Sequence, residues 1–189
     1  MFDLRMMNEE AIGLLYRQSL SRDFPPSELK SLSAIVEMYR RGRYDVLGAY
    51  LGDCLVGYAL LYRPQEGRLA LLDYFAVEPE YRHQGIGSQC LEHLRRYYTG
   101  YLDVLMVECE RPNTAPDETE ARRRIRFYTQ AGAVLTSVRI WLFGVEYSIL
   151  VFPCSGYIPS FDWAREMLTL YQQMLPAELY ESNVRLLRT

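Results

Sequence analysis

A junction near the middle of the chain limits what it can fold into more than any other feature. An apolar strand, read over residues 68–77, runs into Pro79, and Gly85-Ile86-Gly87 then opens a helix reaching about Tyr98. Pro79 removes an amide donor and stops the strand ladder. Ile86, Leu91 and Leu94 begin the apolar stripe of the helix. Glycines at a strand-to-helix turn let backbone N–H groups converge on one point, and the helix N-terminus adds a positive dipole there. An anion, most naturally a phosphate, fits such a nest. A Gly-x-Gly pair by itself also marks ordinary tight turns, so the surroundings must decide.

Composition narrows the field. At 189 residues the chain is about one ordinary domain with some length to spare. A domain of this size buries roughly 70% of its unfolded surface and needs no disulfide or metal staple. With 49% apolar and 24% charged residues it is not a disordered chain, a collagen or a coiled coil. The net charge of −3 and a pI near 5.5 argue against nucleic-acid binding. Lys30 is the sole lysine among 21 basic residues. The cysteines, Cys54, Cys90, Cys109 and Cys154, form no CxxC, so they are expected as buried or semi-buried thiols and not as a metal or redox site. His83 and His93 also lack metal-ligand spacing, and no metal is expected. The N-terminus has no signal-peptide core, and no apolar run approaches the ~20 residues of a membrane span. The expected location is the cytoplasm, with no membrane partner.

Periodicity orders the elements α-α-β-β-β-α-β-α-β-β, a mixed α/β pattern. Residues 8–20 carry a helical stripe, and after the Phe24-Pro25-Pro26 break Ser27 is placed to cap a second helix ending at Gly42. Strands 45–51 and 54–62 flank the hairpin signal Gly52-Asp53, and residues 68–77 form the third strand. A buried strand over 102–109, an acidic loop, a helix over 119–131 and a hairpin around Gly144 follow. The division expected is a domain over 1–153 and a helical extension over 154–189, with Ser160 as a helix cap, packed on the core or on a second subunit.

Arg82-x-x-Gly85-x-Gly87, directly after a strand ending Val-x-Pro-x-Tyr, resembles the acetyl-CoA signature of the GCN5-related N-acetyltransferase (GNAT) family. A second likeness lies in Arg124-Ile-Arg-Phe-Tyr-Thr-Gln-Ala-Gly-Ala133, where Phe127, Tyr128 and Gly132 match a helix end common in that family and Ala133 replaces the usual aromatic. The Phe24-Pro-Pro-Ser-Glu28 segment is similar to one in a bacterial branch. The likeness covers about residues 1–153. Many family members have an Asn about seven residues before the helix Tyr; here Ala121 stands in that place, and Asn113 is the nearest alternative.

The resemblance implies a GNAT-like acyl-CoA N-acyltransferase fold with a splayed central sheet. It also implies acetyl transfer from acetyl-CoA to a primary amine by direct attack in a ternary complex. Amides of Arg82, His83, Gln84, Gly85, Ile86, Gly87 and Ser88 would hold the CoA diphosphate, with charge from Arg82. Pantetheine would pair along Phe75, Ala76 and Val77, on a strand splayed from the one holding Val107 to Glu110. The Val77 amide would polarise the thioester carbonyl, and Tyr128 would protonate the leaving thiolate. The base is sought among Asp73, Glu78, Glu108 and Glu110. Alternation puts Glu108 and Glu110 on one face near the splay, and Glu108 is favoured.

Acids at this mouth favour a cationic acceptor, either a small amine or a protein amine. The Arg122, Arg123, Arg124 and Arg126 cluster is read as a solvated helix face or as a contact for the CoA 3′-phosphate. A homodimer is left open. The alternative function is a non-catalytic acyl-CoA-binding or interaction module. A nucleotide-binding enzyme of another class is disfavoured, because no acidic residue follows the glycines at the place such a unit needs.

Overall fold

The computed structural model describes residues 2–155 and 157–187. Two compact units are present, one made of residues 1–65 and 73–97 and the other of 66–72 and 98–189.

In the first unit, β1 (Phe2–Met6) pairs antiparallel with β2 (Tyr44–Leu51), which pairs antiparallel with β3 (Cys54–Tyr62). The second half of β4 (Leu69–Val77) lies beside β3. Gly57 allows that approach, because a Cβ there would stand 2.9 Å from the Ala76 carbonyl oxygen. Helix α1 (Glu9–Leu15) starts on Asn8, whose Oδ1 accepts from the Ala11 amide at 2.9 Å, with Glu9 and Glu10 favourably placed in the first turn. It continues through a π-helical turn, Tyr16–Leu20, into the short α2 (Ser21–Asp23).

Helix α3 (Leu32–Arg40) is capped by Ser31 and not by Ser27. The reason is tertiary. The Tyr74 hydroxyl donates to the Glu28 carbonyl and accepts from the Lys30 amide, which holds the intervening backbone out of a helix. Helix α4 (Ile86–Tyr98) presents Ile86 and Cys90 to Ala49 and Val56, and Phe75 and Val77 pack against this cluster.

In the second unit, residues 69–72 of β4 pair in parallel with residues 104–107 of β5 (Val104–Glu110). That stretch of β5 is almost fully buried, as a parallel strand requires. The antiparallel series continues from β5 to β7 (Val145–Pro153), to β6 (Val134–Leu142) and to the short β8 (Val184–Leu186). Helix α5 (Glu118–Gln130) is capped by Asp117, and its C-terminus reaches Gly132 at φ +103°.

Helix α6 (Trp163–Met174) is capped by Asp162, whose Oδ1 accepts from the Arg165 amide; Ser160 lies outside it. Its Met167, Leu170 and Tyr171 are buried, and α7 (Ala177–Asn183) follows. The mixed α/β expectation therefore holds. The sequence reading lacked β1 and β8, an edge strand interleaved with charge and a strand of three residues.

Candidate active site

The turn after β4 is built from its own backbone. The Glu78 amide donates to the Val56 carbonyl, fixing the strand end, and Pro79 begins a single 3₁₀ turn, Pro79–Tyr81. Tyr81 and Arg82 amides close it on Glu78 and Pro79. The Gln84 side chain then donates to the Glu80 carbonyl at 2.8 Å. His83 at φ +61° and Gly85 at φ +76° take the left-handed region. A Cβ on Gly85 would meet nothing within 4 Å, so backbone conformation, not space, calls for glycine there. Helix α4 starts at Ile86, where first-turn amides have no carbonyl a turn earlier to serve. The turn thus combines a turned backbone, exposed residues 82–85 and a helix N-terminus.

Arg82 does not point its charge into open space. Its Nε donates to the Val77 carbonyl at 2.9 Å and its Nη2 to Asp23 Oδ1 at 2.8 Å. Asp23 also accepts from the Tyr58 hydroxyl at 2.8 Å and from both sides of the Arg22 fork. Burial pushes the Asp23 carboxyl up, but its hydrogen bonds from Arg22, Tyr58 and Arg82 outweigh this and hold it below the usual carboxylate range. Arg22 reaches on to Glu78, which accepts from the Ser19 hydroxyl at 2.6 Å.

Of the acids considered as a base, Asp73 is paired with Lys30 Nζ at 2.7 Å and accepts from the Tyr44 hydroxyl. Glu78 is tied to Ser19 and Arg22 as described. In the second unit, both oxygens of Glu108 accept from the Tyr171 hydroxyl, at 2.7 and 2.9 Å. Glu110, next along β5 on the same face, is half-buried. Tyr128 is buried on α5, edge-on to Phe127 at 5.1 Å. Burial, reinforced by Cys109 and opposed by Arg124, pushes its hydroxyl above the usual phenol range. Burial likewise raises the Cys90 and Cys109 thiols to about 12, whereas Cys54 is exposed, unlike the expectation for it.

Arg122 and Arg123 pair with Glu118 and Glu120 along the exposed face of α5, and Arg124 and Arg126 are exposed beside them. Among the described residues no group of three or more His, Cys, Asp or Glu could hold a metal ion, and no helix is long and apolar enough to cross a membrane.

Asp23, Tyr58 and Tyr171 went unmarked in the sequence. Asp23 precedes a double-proline break and reads as loop punctuation. Tyr58 and Tyr171 sit in apolar stripes and read as core. Only contacts between distant positions distinguish them.

A parallel β-strand that turns through glycine into a helix, within a mixed and mostly antiparallel set of eight strands, is the architecture of the acyl-CoA N-acyltransferases. The model of the acetyltransferase (GNAT) family matches residues 14–132, and the chain belongs to that family of acetyl-CoA-using acetyltransferases. Solved structures share its fold. A protein assigned to the GNAT acetyltransferases of Bacteroides thetaiotaomicron superposes with a TM-score of 0.73 at 20% identity, over 92% of this chain and 99% of its own. A variant of the spermidine N-acetyltransferase of Vibrio cholerae gives 0.63 at 14% identity, over 83% and 96%. The ribosomal-protein alanine N-acetyltransferase of Escherichia coli gives 0.60 at 17%, over 86% and 100%.

Proposed function

We propose that this acetyltransferase moves the acetyl group of acetyl-CoA to a primary amine by direct attack within a ternary complex, and that the acceptor is cationic. The observation carrying this reading is the turn after β4, where His83 and Gly85 take positive φ immediately before the α4 N-terminus in a chain of this family. The amides of residues 83–88 are assigned to the CoA diphosphate, the Arg82 amide being bonded to the Pro79 carbonyl. Beyond the parallel ladder, β4 runs on through residues 73–77, and the backbone of Phe75, Ala76 and Val77 is assigned to pantetheine.

Each reacting atom then has a partner. The neutral amine nitrogen attacks the thioester carbonyl carbon, and the Val77 N–H donates to the oxygen as it gains charge. The C–N bond forms and the C–S bond breaks. The amine proton passes to Glu108, and Tyr128 gives its proton to the departing thiolate, a transfer that a neutral phenol can make. Glu108 is chosen because Asp73 and Glu78 are already neutralised by Lys30 and Arg22. Glu108 and Glu110 together favour a positively charged acceptor. Relatives in fold include proteins named for acetylating spermidine and a ribosomal-protein alanine, so small and protein amines both belong in the test. Residues 154–189 are proposed as an extension serving the acceptor side through Tyr171.

The test is thiol release from acetyl-CoA across polyamines, amino sugars, amino acids and peptide N-termini, with products read by mass spectrometry. An acetylated amine with matched thiol release is expected. Tight CoA binding without turnover on any amine would instead make this a non-catalytic acyl-CoA module.

A further inference from the structure

We propose that Asp23 is a positioning residue for the cofactor loop, and that Arg82 is its tether and not a phosphate ligand. The inference rests on the reading of residues 83–88 as the CoA diphosphate site. The guanidinium of Arg82 spans two elements at once: Nε on the carbonyl of Val77, the last residue of β4, and Nη2 on Asp23 at the end of α2. The loop therefore leaves the strand at an angle set by a side chain 59 positions away.

Asp23 is itself held firmly. Its side chain is 7% exposed, and it accepts from Tyr58 on β3 and from Arg22. Arg22 bridges on to Glu78, which takes the Ser19 hydroxyl and whose amide is bonded to Val56. Two carboxylates and two guanidinium groups close a charge-balanced cluster around the strand end. Turning Arg82 toward a phosphate would take a donor from a buried carboxylate, which is unfavourable. The amides of residues 83–88, in contrast, need no such rearrangement. Preorganising them cuts the ordering cost that binding would otherwise carry.

The two roles of Arg82 predict opposite signs. If Arg82 is a tether, Asp23→Asn loosens the turn and weakens CoA binding by about tenfold, since small misplacements of a site are costly. If Arg82 is a phosphate ligand restrained by Asp23, the same change frees a cation and tightens binding. Arg82→Lys supplies a second handle at a more exposed side chain, one suited to a case where Asp23→Asn fails to fold. Lysine keeps the charge that a phosphate feels, but cannot bond Val77 and Asp23 in one fork. As a tether, Arg82→Lys loses about as much CoA affinity as Asp23→Asn, about tenfold.

The experiment is titration calorimetry with CoA on the wild type and both variants, alongside turnover of S-acetyl-pantetheine, which lacks the diphosphate. A loss of CoA affinity larger than any loss of kcat/KM for the truncated thioester is the expected result, because the loop amides act through the diphosphate. CoA affinity equal to or tighter than wild type in either folded variant overturns the inference and leaves the loop assignment standing. Equal losses on CoA and on the truncated thioester also overturn it, by showing general structural damage. No binding of CoA to the wild type removes the loop assignment and the inference together.

Discussion

Tyr128 would spend its catalytic life protonated. Burial is the main reason its hydroxyl lies above the usual phenol range, with Cys109 adding to the effect. A raised value for an acidic group keeps the neutral, proton-bearing form dominant to higher pH, so the proposed donor is not titrated away between pH 6 and 9. Tyr128→Phe is therefore expected to lower kcat by a factor of about 10² to 10³, equally across that range, while CoA affinity stays near wild type. Initial rates against pH check this, and unchanged turnover removes Tyr128 from the chemistry. The position of Tyr128 is legible in the sequence because a helix-end motif marks it. That of Asp23 is not, since its donors Tyr58 and Arg82 stand 35 and 59 positions away and no local pattern joins them. The same holds for Lys30 and Asp73, separated by 43 positions, which form an ion pair only because the segment before α3 crosses β4.

The elements were readable where local chemistry governs them and misplaced where tertiary contacts do. The hairpin over Gly52-Asp53, the strands of the central register and α4 follow from alternation and turn residues. The start of α3 does not, because the Tyr74 hydroxyl claims backbone groups that a Ser27 cap would have drawn into a helix. Pairing of β3 with β4 depends on Gly57. Adding a methyl would press on the Ala76 carbonyl oxygen at 2.9 Å, a backbone atom that cannot rotate away. Gly57→Ala is expected to cost about 1–3 kcal/mol in urea unfolding, as overpacking does. A neutral outcome would mean that the two strands separate without penalty.

Helix α6 offers the corresponding test in the other unit. Tyr171→Phe deletes the hydroxyl that donates to Glu108 and leaves the ring. The loss of one buried hydrogen bond should cost about 1 kcal/mol of stability. If Glu108 is the base, the acid limb of the kcat profile also moves to higher pH, because the carboxylate loses a donor that favours its charged form. A stability loss with an unmoved pH profile would separate α6 from catalysis.

At the scale of the molecule, several basic side chains prove to be structural. Arg22, Arg63, Arg82 and Arg111, along with the lone Lys30, sit in ion pairs with half-buried or buried acids, so the net charge of −3 says little about what the protein binds. An anionic ligand would then be held chiefly by backbone, and ligand-linked stability is the measurement that tests this across the whole chain. Acetyl-CoA at a hundred times its Kd should stabilise the fold by about 2.7 kcal/mol. In a chain of this length that raises Tm by roughly 5–10 °C. Gly85→Glu separates conformation from binding. Its free-state melting should fall slightly, because a side chain at φ +76° is strained by roughly 1–2 kcal/mol, while nothing within 4 Å blocks the new Cβ. Its response to acetyl-CoA should vanish, since the carboxylate brings negative charge to amides meant for phosphate. Retention of the full shift in Gly85→Glu would place the ligand away from the β4–α4 turn, and no shift in the wild type would remove acetyl-CoA from that turn altogether.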